Sequence, residues 1–285
     1  MTTDSPPFLT RYTRELTAAV GVPLTVWIVG WSHEYLFNGI VALIALLALH
    51  EFLNLGKKKG YQIPVVLCMA ITLIIIAAFV LDDLSVEIGM FITLLAIPAS
   101  YVFSRRDVEE SLPASAVAVM GTMYVGMLAG CLIRLRNDFP EGPKLVYFLM
   151  LVVWIGDAGA YYVGKRFGKR KLSPLISPKK TVEGLIGGMT TSIICAIVIC
   201  LTFFKEFPVT HAIIVGAVLS VAGVIGDLAE SMWKRSAAVK DSGTLIPGHG
   251  GFLDRFDSIL FTAPILYIYW AFTRHGVTTL NIITG

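Results

Sequence analysis

Apolar residues along this chain do not recur every second position, nor on one helical face. They fill long runs separated by short polar stretches. Runs of about 20 residues are what a helix needs to cross about 30 Å of hydrocarbon. The pattern predicts nine apolar helices: Leu16 to Gly30, Leu36 to Phe52, Ile63 to Leu81, Val86 to Phe103, Pro113 to Ile133, Lys144 to Gly164, Gly184 to Phe204, Val209 to Leu228 and Phe256 to Arg274. The first is short and interrupted by Pro23, and the eighth runs into acidic residues. A transmembrane β-barrel is excluded because the runs are apolar on every side. The expected fold class is therefore all-α, a polytopic membrane bundle of about nine transmembrane helices.

Composition agrees. Of 285 residues, 55 % are hydrophobic and only 15 % charged, where a soluble domain carries about 25 % charged residues. Too little polar surface exists to coat a soluble globule. The placement of charge adds an orientation. Of the 23 Lys and Arg residues, 18 fall in the N-terminal segment and in the connections after the second, fourth, sixth and eighth helices. Cytoplasmic loops collect basic residues, so the N-terminus is expected in the cytoplasm and the C-terminus outside. Met1 to Thr10 is polar, with Pro6 and Pro7, and does not resemble a secretory leader. Cys68, Cys131, Cys195 and Cys200 lie in apolar runs without CxxC spacing and read as inert core thiols.

The chain changes character along its length. Residues 1–112 read as plain hydrophobic helices, whereas 113–285 collects Gly, Asp, Lys and Arg at the cytoplasmic ends of the sixth and eighth helices. The second part is expected to be the catalytic region. Ionisable residues at membrane depth are costly and call for a partner or a function. Asp157, among the small residues of Trp154 to Tyr162, is the first such place, as an interhelical hydrogen bond or as part of a polar site.

The connection from Lys165 to Glu183 is the second. Lys165 to Lys171 suits anionic headgroups. Ser177, Lys179, Lys180 and Thr181 are different, because hydroxyls and ammonium groups converge where the seventh helix begins, an arrangement suited to phosphate oxygens. It is not a P-loop: Gly164 to Gly168 is one residue too short, and Arg170 replaces the metal-binding hydroxyl.

The third place is the strongest. Asp227 and Glu230 share a helix face at the end of the eighth helix, and Asp254 and Asp257 repeat the spacing where the ninth begins. Separated carboxylates suit a hard divalent cation such as Mg²⁺, which is held by a few acids together with substrate phosphates. Lys234, Arg235, Lys240 and Arg255 supply positive charge between them, and the glycines of Pro247 to Gly251 let backbone N–H groups approach an anion. His249 reads as a phosphate contact, a turn residue or a proton carrier.

The residues now resemble a family. Ser231-Met-Trp-Lys-Arg235, Lys240-Asp-Ser-Gly243 and Pro247-Gly-His-Gly-Gly-Phe-Leu-Asp-Arg-Phe-Asp257 match, over 27 residues, the signature of phosphatidate cytidylyltransferases, also called CDP-diacylglycerol synthases. The resemblance extends to Trp154 to Tyr162, Ser177 to Gly184 and Gly226 to Ser231. It implies transfer of CMP from CTP to phosphatidic acid, giving CDP-diacylglycerol and pyrophosphate in phospholipid biosynthesis. It implies Mg²⁺, with room for a second cation and for a homodimer, and no nucleic-acid partner.

By the same resemblance the metal-binding acids are Asp227 and Asp254, with Glu230 and Asp257 beside them and Lys240 and His249 as further catalytic candidates. Asp157, Ser177, Lys179, Lys180, Thr181, Lys234, Arg235 and Arg255 are the candidates for holding substrate. The expected location is a bacterial inner (plasma) membrane, with the active site facing the cytoplasm. Two other readings compete with this one. A CTP-dependent polyprenol or phytol kinase shares acidic and basic loops but not the full signature. A transporter of an anionic solute would place its polar groups at mid-membrane rather than at one face.

Overall fold

The computed structural model describes residues 8–81, 83–104, 108–243 and 250–275. Nine helices form among them: α1 (Phe8–Trp31), α2 (Glu34–Lys58), α3 (Val65–Ala78), α4 (Val86–Val102), α5 (Ser111–Asn137), α6 (Gly142–Phe167), α7 (Val182–Thr202), α8 (Val209–Ser236) and α9 (Leu253–His275). Each contains one of the apolar runs. Pro23 does not break α1, and Pro98 and Pro264 likewise lie inside α4 and α9; helices in an apolar surround tolerate proline because neighbouring helices satisfy the freed carbonyls.

Six helices (α2 and α5 to α9) are long and apolar enough to cross a membrane, while the apolar parts of α1, α3 and α4 are shorter. Only 39 to 50 % of the residues in each long span are buried within the protein. The remaining apolar surface points outward, where hydrocarbon rather than water must receive it. On α4, Phe91, Leu95 and Val102 are exposed in this way. The chain is an all-α integral membrane protein.

Packing divides the helices into two groups that share a seam. α5 packs on α2, α3 and α4, while α6, α7, α8 and α9 pack in chain order; α9 also meets α2 and α5. α6 and α7 approach most closely, through small residues. A Cβ added at Gly184 would lie 2.8 Å from the Ala160 carbonyl, and one at Gly188 would lie 3.0 Å from the Gly156 carbonyl. Nothing larger than hydrogen fits at either position.

Two elements differ from the sequence reading. The polar connection after α6 folds back as an antiparallel hairpin, β1 (Lys171–Ser173) and β2 (Ser177–Thr181), pairing Lys171 with Thr181 and Ser173 with Ser177. Val182 N–H donates to the Arg170 carbonyl at 2.9 Å and prolongs the ladder. α8 also continues two turns past Leu228, because its charged residues find partners along their own helix. Lys234 lies 3.2 Å from Glu230, one turn earlier. The helix ends at Ser236, and Ala238 two residues on, with a φ of 56°, takes the left-handed conformation common after a helix C-terminus.

The end away from the hairpin carries its own polar contacts. Lys144 pairs with Glu206 at 2.8 Å, Arg274 with Glu141, and Tyr267 donates to Asp138 at 2.9 Å. Arg136 of α5 donates to the carbonyls of Val29 and Ser32, at 3.2 and 2.7 Å. This fixes the C-terminal end of α1 beside the C-terminal end of α5.

Candidate active site

The functional candidates gather where α6 and α8 end and α7 and α9 begin. The hairpin delivers the basic side. Thr181 closes it and caps α7, its hydroxyl accepting from Gly184 N–H at 3.0 Å. Glu183, in the first turn of α7, accepts from the backbone N–H groups of Lys169 and Arg170 at 2.9 and 3.1 Å, and from the Arg170 side chain at 3.2 Å. The hairpin is thus tied at its base, and Lys180 projects from it to Asp227, with Nζ 2.5 Å from Oδ2. Lys179 beside it is exposed, and Ser177 begins the strand half-buried.

α8 and α9 deliver the acids. Carboxylate oxygens of Asp227, Glu230 and Asp257 all lie within 4.8 Å of one another. Glu230 is 1 % and Asp257 7 % exposed, whereas the Asp227 side chain keeps 38 % of its surface accessible. The group is therefore a buried pair of carboxylates with a third at the mouth. Asp257 Oδ1 accepts from Ser258 N–H at 2.6 Å, but Glu230 Oε1 is buried with no partner among the described residues. A buried carboxylate oxygen left unpaired is costly.

Asp254 stands one step aside. Its Oδ1 receives Lys234 Nζ at 2.5 Å, and its Oδ2 lies 2.9 Å from Gly251 N, 3.1 Å from Ser242 N and 3.0 Å from Ser242 Oγ. Lys234, 9 % exposed, bridges Asp254 to Glu230. Asp254 accordingly joins the acidic group both through Lys234 and by lying directly beside Glu230.

Asp157 lies on the α6 side of the same cleft, close enough to Asp227, Asp257 and Lys180 to feel their charge. With Gly156, Ala160, Ser192, Ser220 and Gly223 it lines a recess large enough for about one water molecule. Arg235 donates to the carbonyls of Ile176 and Val239, at 3.4 and 3.1 Å, and so fastens the hairpin tip to the end of α8. Lys240 and Arg255 are exposed at the rim. His249 lies outside the described residues.

Five carboxylates, those of Asp157, Asp227, Glu230, Asp254 and Asp257, thus face the ammonium groups of Lys180 and Lys234. The excess negative charge fits a divalent cation. Metal–oxygen distances of about 2.1 Å put ligands of one Mg²⁺ up to about 4.2 Å apart, so small side-chain movements close the trio around an ion. The unpaired Glu230 oxygen would be one ligand atom, with Asp227 and Asp257 supplying others.

One participant was not anticipated from sequence. Glu51 of α2, only 2 % exposed, reaches the same loop from the N-terminal part of the chain, its Oε2 lying 2.9 Å from both Ser242 Oγ and Leu253 N. The signal was present, since an acid inside an apolar run calls for a partner. Its neighbour Phe52 meets Trp233 edge-on, with ring centroids 5.1 Å apart.

Comparison with known proteins gives the family of the chain. The model of the Cytidylyltransferase family matches residues 12–273. The chain is 35 % identical to the phosphatidate cytidylyltransferase of Bacillus subtilis (strain 168) over 241 residues, covering 82 % of this chain and 88 % of the relative. It is 37 % identical to the protein of that name in Staphylococcus haemolyticus (strain JCSC1435) over 261 residues, and 38 % identical to that of Staphylococcus aureus (strain COL) over 262 residues. Each of these two matches covers 90 % of this chain and 97 % of the relative.

Proposed function

The chain belongs to the cytidylyltransferase family and is a phosphatidate cytidylyltransferase; from that premise we propose that the cleft between the hairpin and the starts and ends of α6 to α9 is where CTP and phosphatidate meet. The reaction transfers CMP from CTP to phosphatidic acid and releases pyrophosphate. The observation that carries the site assignment is the trio Asp227, Glu230 and Asp257 facing Lys180 across the cleft.

A phosphatidate monoester is already an anionic nucleophile, so its activation needs no strong base. The difficulty is bringing two polyanions together. An oxygen of the phosphatidate phosphate attacks the α-phosphorus of CTP, and the bond from that phosphorus to the bridging oxygen of the β-phosphate breaks. Pyrophosphate leaves with the electron pair. Asp227, Glu230 and Asp257 would hold a Mg²⁺ ion, which when bound would neutralise charge on the nucleotide phosphates. Lys180, together with Lys179 on the exposed side of β2, offsets charge on the departing pyrophosphate. Asp254 holds Lys234 and the loop in place beside the metal ligands. Lys240 and Arg255 at the rim are placed to attract phosphate from solution or from the lipid surface.

Labels report which phosphorus is attacked. With CTP labelled in the cytosine ring, label enters the lipid phase only when phosphatidate and Mg²⁺ are present, with equimolar pyrophosphate; with γ-labelled CTP, none does. Recovery of γ-label in lipid would indicate phosphate transfer by a lipid kinase and overturn the reading.

We further place the cleft at the cytoplasmic face of a bacterial inner membrane, with nine crossings and the N-terminus on that face. Two observations support this. Eighteen of 23 basic residues fall in the N-terminal segment and in the connections after the second, fourth, sixth and eighth helices, the last two of which form the cleft. α1 ends beside the far end of α5, at Arg136, so its start lies on the side of the cleft. A reporter at Gly285 is expected outside, and tags near Lys171 inside. Both on one side would dismiss the nine-crossing arrangement.

A further inference from the structure

Glu51 is a puzzle on energetic grounds. It is 2 % exposed, and among the described residues no Lys or Arg lies within ion-pair reach. A buried carboxylate in that position must be compensated by neutral donors. The donors it has come from both ends of one loop. The Ser242 side chain meets Oε2 at 2.9 Å, on the near side of the residues 244–249 that lie outside the described residues. Leu253 N–H donates to the same oxygen at 2.9 Å, on the far side. Leu253 is the first residue of α9, so Glu51 also acts as a carboxylate cap supplied by another helix, where the helix dipole favours negative charge.

The glycines tell the same story from the opposite direction. A Cβ at Gly243 would overlap the Glu51 side chain, which contributes all three of its nearest atoms. A Cβ at Gly251 would overlap both Ser242 Oγ and the Glu51 carboxylate. Gly251 has no left-handed φ to explain it. These two glycines leave room for one side chain. Meanwhile Ser242 Oγ and N face Asp254 Oδ2 at 3.0 and 3.1 Å, so the chain of contacts runs from Glu51 through Ser242 to Asp254 and through Lys234 to Glu230.

We propose that Glu51 is a positioning residue for the transferase reaction: from α2 it clamps both ends of the 242–253 loop, and so sets the start of α9 and the places of Asp254 and Asp257. This rests on the site assignment above. Hydrogen-bond acceptance by Oε2 carries the role, and net charge does not.

Four purified variants test it, with kcat and KM for CTP normalised to folded protein by size-exclusion in detergent. Glu51→Ala is expected to lower kcat by at least about 30-fold with KM for CTP changed less than about 3-fold. Glu51→Gln keeps an oxygen where Oε2 stands and is expected to recover activity to within about 3-fold of the parent. Gly243→Ala alone is expected to lower kcat about 10-fold or more, but in the Glu51→Ala background by less than about 2-fold, because the overlapping group is gone.

Glu51→Ala with unchanged kcat per folded molecule would reduce Glu51 to a purely structural group and overturn the proposal. Glu51→Gln as inactive as Glu51→Ala would overturn the acceptor role, and additive losses in the double variant would overturn the close-contact argument. A parent enzyme with no CTP- and phosphatidate-dependent product would instead refute the site's function, which separates the two failures.

Discussion

Asp227→Asn and Asp257→Asn are each expected to lower kcat by about 10³-fold or more while leaving folded protein in the membrane. Both substitutions preserve shape and remove one negative charge. Loss of a single preorganised electrostatic contact in an active site costs about 10² to 10³ in kcat, and a missing metal ligand removes charge neutralisation as well. Asp227 is 38 % exposed in its side chain, so its loss strands no buried group. Asp257 keeps its contact with Ser258 N–H, which an amide oxygen still accepts.

Asp254→Asn is expected to behave differently. It takes a charged partner from the buried Lys234 ammonium, and breaking a buried pair is destabilising in itself. Lower thermal stability in detergent should accompany its loss of turnover. The informative measurement is kcat as a function of Mg²⁺ together with the thermal midpoint of each variant. Near-parental kcat for Asp227→Asn at saturating Mg²⁺ would remove that residue from the metal site.

The second large effect is expected at the hairpin. Lys179→Ala with Lys180→Ala should raise KM for CTP or lower kcat by more than about 10-fold, a loss of at least about 1.4 kcal/mol of transition-state stabilisation. Lys180 Nζ is 2.5 Å from Asp227, which places its charge at the mouth of the acidic cleft. The comparison pair is Lys169→Ala with Arg170→Ala. Arg170 contributes its side chain to Glu183 at 3.2 Å, but the backbone N–H groups of residues 169 and 170 also hold Glu183, and those survive truncation. The comparison pair should therefore cost much less. If its loss exceeds that of the Lys179 and Lys180 pair, the phosphate-binding charge has been placed on the wrong side of the hairpin.

The helices were legible because a single physical requirement, an apolar run long enough for a bilayer, writes itself into consecutive residues. Eight of the nine helix starts, Val86 and Val209 among them, fall within three residues of the runs that predict them. The acids Asp227, Glu230, Asp254 and Asp257 were legible because carboxylates next to apolar helices demand explanation wherever they sit. The hairpin was not. Its two strands are three and five residues long, include Pro178 and lack an apolar face, so no periodicity announces them. The finer ordering of the acids was equally hidden, since the setting of Asp254 depends on Ser242, Gly251 and Lys234 converging in space.

Glu51 shows a different kind of limit. Its partner Leu253 is 202 positions away, and Ser242 is 191 away. The residue itself stood in plain view in an apolar run, but nothing local indicates which distant loop it serves. The division at residue 112 that composition suggests is therefore a division of character along the chain; α2 reaches across it to the loop that carries Asp254.

The near-contact of α6 and α7 has a bearing on traffic. A two-tailed lipid must reach the cleft from the surrounding bilayer by parting some pair of helices or by passing between their ends. At Gly184 and Gly188 the backbones of α6 and α7 approach so closely that neither glycine could carry a side chain. Separating them there would give up the close packing that these small residues allow and that a bilayer-embedded helix pair relies on. That pair is expected to stay closed during turnover, and the lipid to enter elsewhere on the circumference.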